Sequence, residues 1–229
     1  MGYTKIFEHA VSSDNPKVLE EISREDINLA VWENPLSPHS RQYLDGLDLN
    51  RDIVPKNSQY YEHTKIQVFN RETGTQTMAE LVDYLPDREH KEALIDDLVR
   101  LKDSFLKATG FDQVNVAPML FKPRAADRSN PLSTPGFWHT DGGNNIGIIT
   151  LKGDKGTLIR PNSSVTNYQS EIRKIEAVIP EEQPFIREIG VGQFAIFKCL
   201  NHDSPLIHAT PPYPMTRERR LVLQLHHNF

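Results

Sequence analysis

A chain of 229 residues with 38% hydrophobic and 25% charged residues and a net charge of −5 has a soluble globular protein's balance and the length for one substantial core. Its charges are interspersed, and the one basic cluster, Arg217 to Arg220, sets three cations around Glu218. That is too few to track a phosphate backbone, so neither nucleic acid nor membrane is expected as a partner.

The start of the chain shows no export signal, and Ile6 stands where a myristoylation pattern needs Ser or Thr. Cys199 is the sole cysteine, which excludes an intramolecular disulfide and a thiolate-rich zinc site and fits a reducing compartment. The cytoplasm is the expected location, with the oligomeric state left open.

No internal repeat or low-complexity tract interrupts the chain, and a single domain over 1–229 is expected. Its character changes once, giving a helical layer over 1–112 and strands over 113–229. In chain order, the first helix is expected near Pro16 to Ile22 and the next over Thr77 to Tyr84. The longest runs from Asp87, as cap, to Ala108, where Leu94, Leu98, Leu101 and Phe105 recur at helical spacing and Gly110 ends the segment. Trp32 is expected to pack this layer onto the sheet.

Strands are expected over Val114–Phe121, Ile146–Leu151, Thr157–Arg160, Phe194–Phe197 and Arg220–Leu225, with a hairpin turn at Gly153 to Gly156. Five or more short strands with Gly, Pro and Asn turns favour a closed or double-sheet β architecture. The expected fold is therefore mainly β with helices (α+β): a jelly-roll core over 113–229 buttressed by N-terminal helices.

Residues 137–143 read Phe-Trp-His-Thr-Asp-Gly-Gly, and on an extended segment His139 and Asp141 point to one side. A further histidine, His208, follows a Gly-Val-Gly-Gln turn and the apolar run Phe194 to Phe197. Two imidazoles and a carboxylate on one face of a metal leave three positions open, as non-haem Fe(II) oxygenases require. His202, beside Asp203, competes with His208; His208 is preferred because it can end a short strand, whereas His202 reads as loop.

Arginine suits a dicarboxylate cosubstrate because its fork binds both oxygens of a carboxylate at once. Arg217, Arg219 and Arg220 head the last strand. Arg219 shares strand parity with Leu221 and Leu223 and is preferred, with the other two as alternatives.

Residues 113–229 resemble the double-stranded β-helix of Fe(II)- and 2-oxoglutarate-dependent oxygenases, through the pattern His-x-Asp, then His, then Arg. The runs Asn28 to Trp32 and Glu218 to Leu223 are similar to a bacterial family catalogued as a domain of unknown function within that superfamily. The resemblance implies Fe(II) held by His139, Asp141 and His208, and 2-oxoglutarate anchored by Arg219, at the separation from His208 usual in the superfamily. It also implies O2-dependent oxidation of a substrate, coupled to decarboxylation of 2-oxoglutarate.

Other residues are weighed beside this site. Thr150 and Thr157 offer hydroxyls to the cosubstrate carboxylate, although turn and strand chemistry explains them as well. Asn144, Asn145 and Trp138 are placed at the mouth of the site as substrate contacts. Arg124, Arg128 and Arg160 read as solvated surface charge, Met119 and Phe121 as core, and His226 and His227 as structural. The expected substrate is a small polar molecule such as an amino-acid derivative. Two rival functions are a metal-binding cupin-like sensor or store without oxygenase activity, and a non-haem iron dioxygenase that ignores 2-oxoglutarate.

Overall fold

The computed structural model describes residues 3–53, 61–64, 66–122, 138–161, 167–172, 174–178, 186–211 and 217–227. Three strands open the chain: β1 (Thr4–Phe7), β2 (Ala10–Ser13) and β3 (Leu29–Trp32). Between β2 and β3 lies a 3-10 helix, Pro16–Ser23, started by the Asn15 side chain and by Pro16 at its first position. The helix α1 (Pro38–Asp45) follows, capped by Ser37, and after it β4 (Tyr61–Thr64) and β5 (Gln67–Asn70). The first 112 residues are thus not simply the expected helical layer. Their strands are short, and the sequence signal of such a strand is weak beside the helical periodicity that follows.

The helix α2 (Thr75–Leu81) lies two residues earlier than expected at its start, and α3 (Lys91–Thr109) begins after, not at, Asp87. His90 occupies the cap of α3 in a left-handed conformation (φ 69°) and makes no side-chain capping bond. It stacks instead on His39 of α1, ring centroids 4.5 Å apart. Gly110 closes α3 with a left-handed φ of 74°, as its sequence position foretold.

The remaining strands are β6 (Gln113–Phe121), β7 (Asn145–Lys152), β8 (Thr157–Arg160), β9 (Asn167–Ile172), β10 (Lys174–Val178), β11 (Arg187–Ile189), β12 (Phe194–Lys198), β13 (Ile207–Ala209) and β14 (Arg220–His226). Every strand expected in the second half is present, within one residue at each end. One connection differs. β7 and β8 belong to different sheets, so Gly153 to Gly156 is a crossover between layers and not a hairpin turn.

The large sheet has the order β1-β2-β3-β12-β7-β14-β6-β4, with β5 also on β6, and among the described strands only β2 and β3 run parallel. The small sheet has the order β11-β8-β13, and His139 pairs with β13 on its open side. Side-chain alternation sorts the large sheet into two faces. Trp32, Val116, Ile149, Phe194, Leu221, Leu223 and Leu225 pack with Leu94, Leu98, Leu101 and Phe105 of α3. On the other face, Val31, Ile146, Ile148, Ala195, Phe197 and Val222 pack with Ile159 and Ile189 of the small sheet. The large sheet is therefore covered by helices on one side and by the small sheet on the other.

Asp97 of α3 ties α1 into the helical side. It accepts from the Ser37 backbone N–H and the Ser40 hydroxyl, each at 2.6 Å, and pairs with Arg100. Those contacts offset the burial of its carboxylate and hold its pKa below the usual carboxylate value. No helix among the described residues is long and apolar enough to cross a membrane.

Candidate metal centre

The site lies at the β13 edge of the small sheet, where His139 pairs with His208. Backbone hydrogen bonds in both directions, each 2.9 Å, join His139 to His208. This pairing sets the two imidazoles on one face, ring centroids 4.4 Å apart. Asp141 follows two residues after His139 and turns the same way, as extended backbone requires. One donor atom from each of His139, Asp141 and His208 lies within 4.8 Å of the others.

The Asp141 carboxylate stands between the imidazoles, Oδ2 at 3.3 Å from His208 Nε2 and Oδ1 at 3.6 Å from His139 Nε2. Both separations exceed an ordinary hydrogen bond and match the span of two ligand atoms each about 2.1 Å from a shared ion. Burial alone would raise the Asp141 pKa, but the facing His208, and then His139 and His226, outweigh it and hold the carboxyl well below its usual range. The cluster thus presents a fixed anion flanked by two nitrogen donors, a set suited to Fe(II).

Neighbouring backbone fixes the main chain that carries Asp141. Leu200 N–H donates to the Asp141 carbonyl at 3.0 Å, Asn201 N–H to Gly143 at 3.0 Å and Cys199 N–H to Asn144 at 2.8 Å. The turn after Asp141 is therefore laced to the turn after β12. His208 is the deepest ligand, its side chain 6% exposed against 29% for His139 and 23% for Asp141. Phe197 backs it at 4.7 Å between centroids. The cluster is closed behind and reachable in front.

His202 lies in the turn after β12, as the sequence reading expected, and is not in the cluster. Trp138 adjoins the cluster in sequence and carries the Arg160 guanidinium over its ring at 4.5 Å. Asn144 accepts from the Asn201 side chain at 2.9 Å, at the edge of the same turn. Asn145 is buried and shares the parity of Ile149 and Leu151, which sets it on the helical side of the sheet.

Of the three arginines at the head of β14, Arg219 and Arg220 part company. Arg219 has the parity of Leu221 and Leu223, but those leucines face the helices. Its Nη1 donates to the Leu49 carbonyl at 3.2 Å. The same parity that favours Arg219 in the sequence thus sets it on the helical face. Arg220 shares the inner face with Val222, is 3% exposed, and donates Nη1 to the Gly156 carbonyl at 2.8 Å. Burial brings its pKa down to about 10, which leaves it cationic at neutral pH.

Gly153 makes room for the Arg220 side chain. At φ +144° it adopts a conformation L side chains rarely take, and a Cβ there would stand 2.7 Å from Arg220 Cγ. Thr150, paired with Val222, and Thr157, beside Gly156, are both buried and have the parity of the inner face.

Other expectations meet a mixed outcome. Arg160 is not solvated surface charge: it is 3% exposed. Arg124 and Arg128 lie outside the described residues. Met119 is buried and Phe121 packs partly buried on the inner cluster. His227 stacks on Phe111 at 3.8 Å, whereas His226 lies on the inner face, its Nε2 2.9 Å from Gln224 Oε1. The sequence reading missed this Gln224–His226 pair. The signal available was their parity with Val222, once the inner face of β14 was known.

Residues 13–226 match the family described as "Protein of unknown function (DUF1826)". No curated protein matches the sequence. Among solved structures, the chain is similar to IDO from Bacillus thuringiensis at 11% identity, covering 100% of this chain and 97% of that one, TM-score 0.48. A Pseudomonas putida prolyl-4-hydroxylase is similar at 13% identity, covering 92% and 96%, TM-score 0.43. The Arabidopsis thaliana dioxygenase for auxin oxidation, in complex with 2-oxoglutarate, is similar at 11% identity, covering 96% and 91%, TM-score 0.42.

Proposed function

This chain belongs to the DUF1826 family, and from its site we propose a non-haem Fe(II)- and 2-oxoglutarate-dependent oxygenase acting on a small polar molecule. The observation that carries the reading is the convergence of His139, Asp141 and His208 within 4.8 Å, reachable from one side. Two imidazoles and a carboxylate occupy one face of an ion and leave the other for cosubstrate and O2. Bound there, Fe(II) supplies the O2 activation that no side chain can provide.

In this reading the strands form a jelly-roll, double-stranded β-helix core with helices against its large sheet. Its support is the route of the chain, which passes from β6 in the large sheet to His139 in the small one, then β7 large, β8 and β11 small, β12 large, β13 small and β14 large. Such alternation closes two sheets over one inner space, with the ligands at its mouth.

Arg220 anchors the distal carboxylate of 2-oxoglutarate in this reading, because it is the cation of β14 on the inner face. Thr157 and Thr150 add hydroxyls nearby. Gln224 and His226, on the same face nearer Asp141, offer polar groups to the substrate, as does Asn144 at the rim. The residues' share of the chemistry is to hold the facial ligand set, orient the cosubstrate and limit water.

The test is O2-dependent formation of succinate from 2-oxoglutarate by the Fe(II)-loaded chain. Arg220→Met should raise the 2-oxoglutarate requirement more than about tenfold, the loss of a charge-assisted pair, while Arg219→Met should leave it within about twofold. Equal effects of the two variants would overturn the cosubstrate assignment. Tight Fe(II) binding without any succinate would favour a metal-binding sensor or store.

A further inference from the structure

The small sheet has a second face. His208 pairs with Ile159, which packs in the inner core, whereas Arg160 pairs with Ile207. Alternation therefore puts Arg160 on the side of β13 away from His208. By the same rule Trp138 and Thr140, which flank His139, lie on that outer side. The Arg160 guanidinium stands 4.5 Å from the centre of the Trp138 ring, so the two reach toward each other across β13.

This corner is polar and unsatisfied. Arg160 is 3% exposed, and its buried Nε and Nη1 have no hydrogen-bond partner. Thr140 is 1% exposed, and its hydroxyl is likewise buried without a partner. A guanidinium keeps its charge at every physiological pH, and taking it out of water is costly unless acceptors meet its N–H groups. The indole face attracts the cation but accepts none of these bonds. A buried cation, a hydroxyl and an aromatic wall with donors unmet have the chemistry that receives an oxyanion.

We propose that Arg160, Thr140 and Trp138 form a binding site for a small oxyanion, a phosphate or carboxylate group, back to back with the metal cluster. Arg160 supplies the charge and N–H donors, Thr140 a hydroxyl donor, and Trp138 holds the guanidinium plane. The site needs no metal, so it stands or falls apart from the oxygenase reading.

The experiment uses the metal-free chain of residues 1–229. The sequence has two tryptophans, so Trp32→Phe leaves Trp138 as the fluorescent reporter. Inorganic phosphate and acetate are titrated separately at constant ionic strength, with chloride as reference, and the melting temperature of the unaltered chain is followed in parallel. A saturable change in Trp138 emission and a rise in melting temperature are expected with at least one of the two anions. Whichever saturates at lower concentration identifies the oxyanion class.

Arg160→Met and Thr140→Val should each weaken the response, the former at least about tenfold. Arg219→Met, on the helical face of the large sheet, should leave it unchanged. If Arg160→Met does not fold, Arg160→Lys decides together with Thr140→Val, since a point charge without the planar fork should also bind more weakly. No saturable response to either anion, or a response that survives in the Arg160 and Thr140 variants, would overturn the proposal.

Discussion

Asp141 carries the negative charge of the candidate centre, and its two imidazole neighbours stand 3.3 and 3.6 Å away. Asp141→Asn keeps its shape and removes that charge. Anaerobic Fe(II) titration should show affinity reduced more than about a hundredfold, beyond what outer-shell changes cost, whereas His202→Ala should bind as the unaltered chain does. Loss in His202→Ala with retention in His208→Ala would move the third ligand. Asp52 supports a different prediction. Its carboxylate accepts from the Asp48 N–H at 2.9 Å and pairs with Arg51 and Arg88, each at 3.0 Å, which together pull its pKa to about 2. A depressed pKa stabilises the fold above the ordinary value of 3.8, and that contribution is lost as pH falls toward 2. Denaturant titrations between those values should therefore show a shallower acid decline in Asp52→Asn than in the unaltered chain.

The contact of α3 with the sheet depends on a missing side chain. A Cβ on Gly147 of β7 would stand 2.8 Å from Phe105 and 3.0 Å from Phe194, both fully buried. Gly147→Ala should cost about 1–3 kcal/mol by overpacking. Combining it with Phe105→Leu should recover part of that loss, because the two changes share one contact. Additive losses in urea unfolding would show that the clash lies elsewhere. The same α3 shows how an element can be legible while its start is not. Leu94, Leu98, Leu101 and Phe105 announce the buried stripe, but the cap is set by His90 stacking on His39 from another helix. No local signal encodes that contact, and Asp87 was the better cap by residue type alone.

Across the whole molecule, the ligands come from segments 69 positions apart and meet only because β13 pairs with the strand segment at His139. A metal that binds the folded chain and not the unfolded one shifts the folding equilibrium, by about 2.7 kcal/mol at a hundredfold excess over its Kd. Anaerobic Fe(II) should raise the melting temperature, a chelator should reverse the rise, and His208→Ala should abolish it. A rise of equal size in His208→Ala would place the stabilising metal outside this centre.

Local chemistry and the regular elements were legible in the order of the amino acids: the long helix, the second-half strands and the His139–Asp141 pair, whose common side follows from strand parity. That order also brought His208 and the arginines of β14 forward as candidates. Which face of each strand is inside emerged from the packing alone. Arg219 and Arg220 are neighbours of identical type, and exchanging the faces would exchange their surroundings. The same choice turned Arg160 from expected surface charge into a buried cation and brought His226 toward Asp141. Parity is a property of the local chain, but inside and outside are set by what packs on each face, here α3 on one and the small sheet on the other.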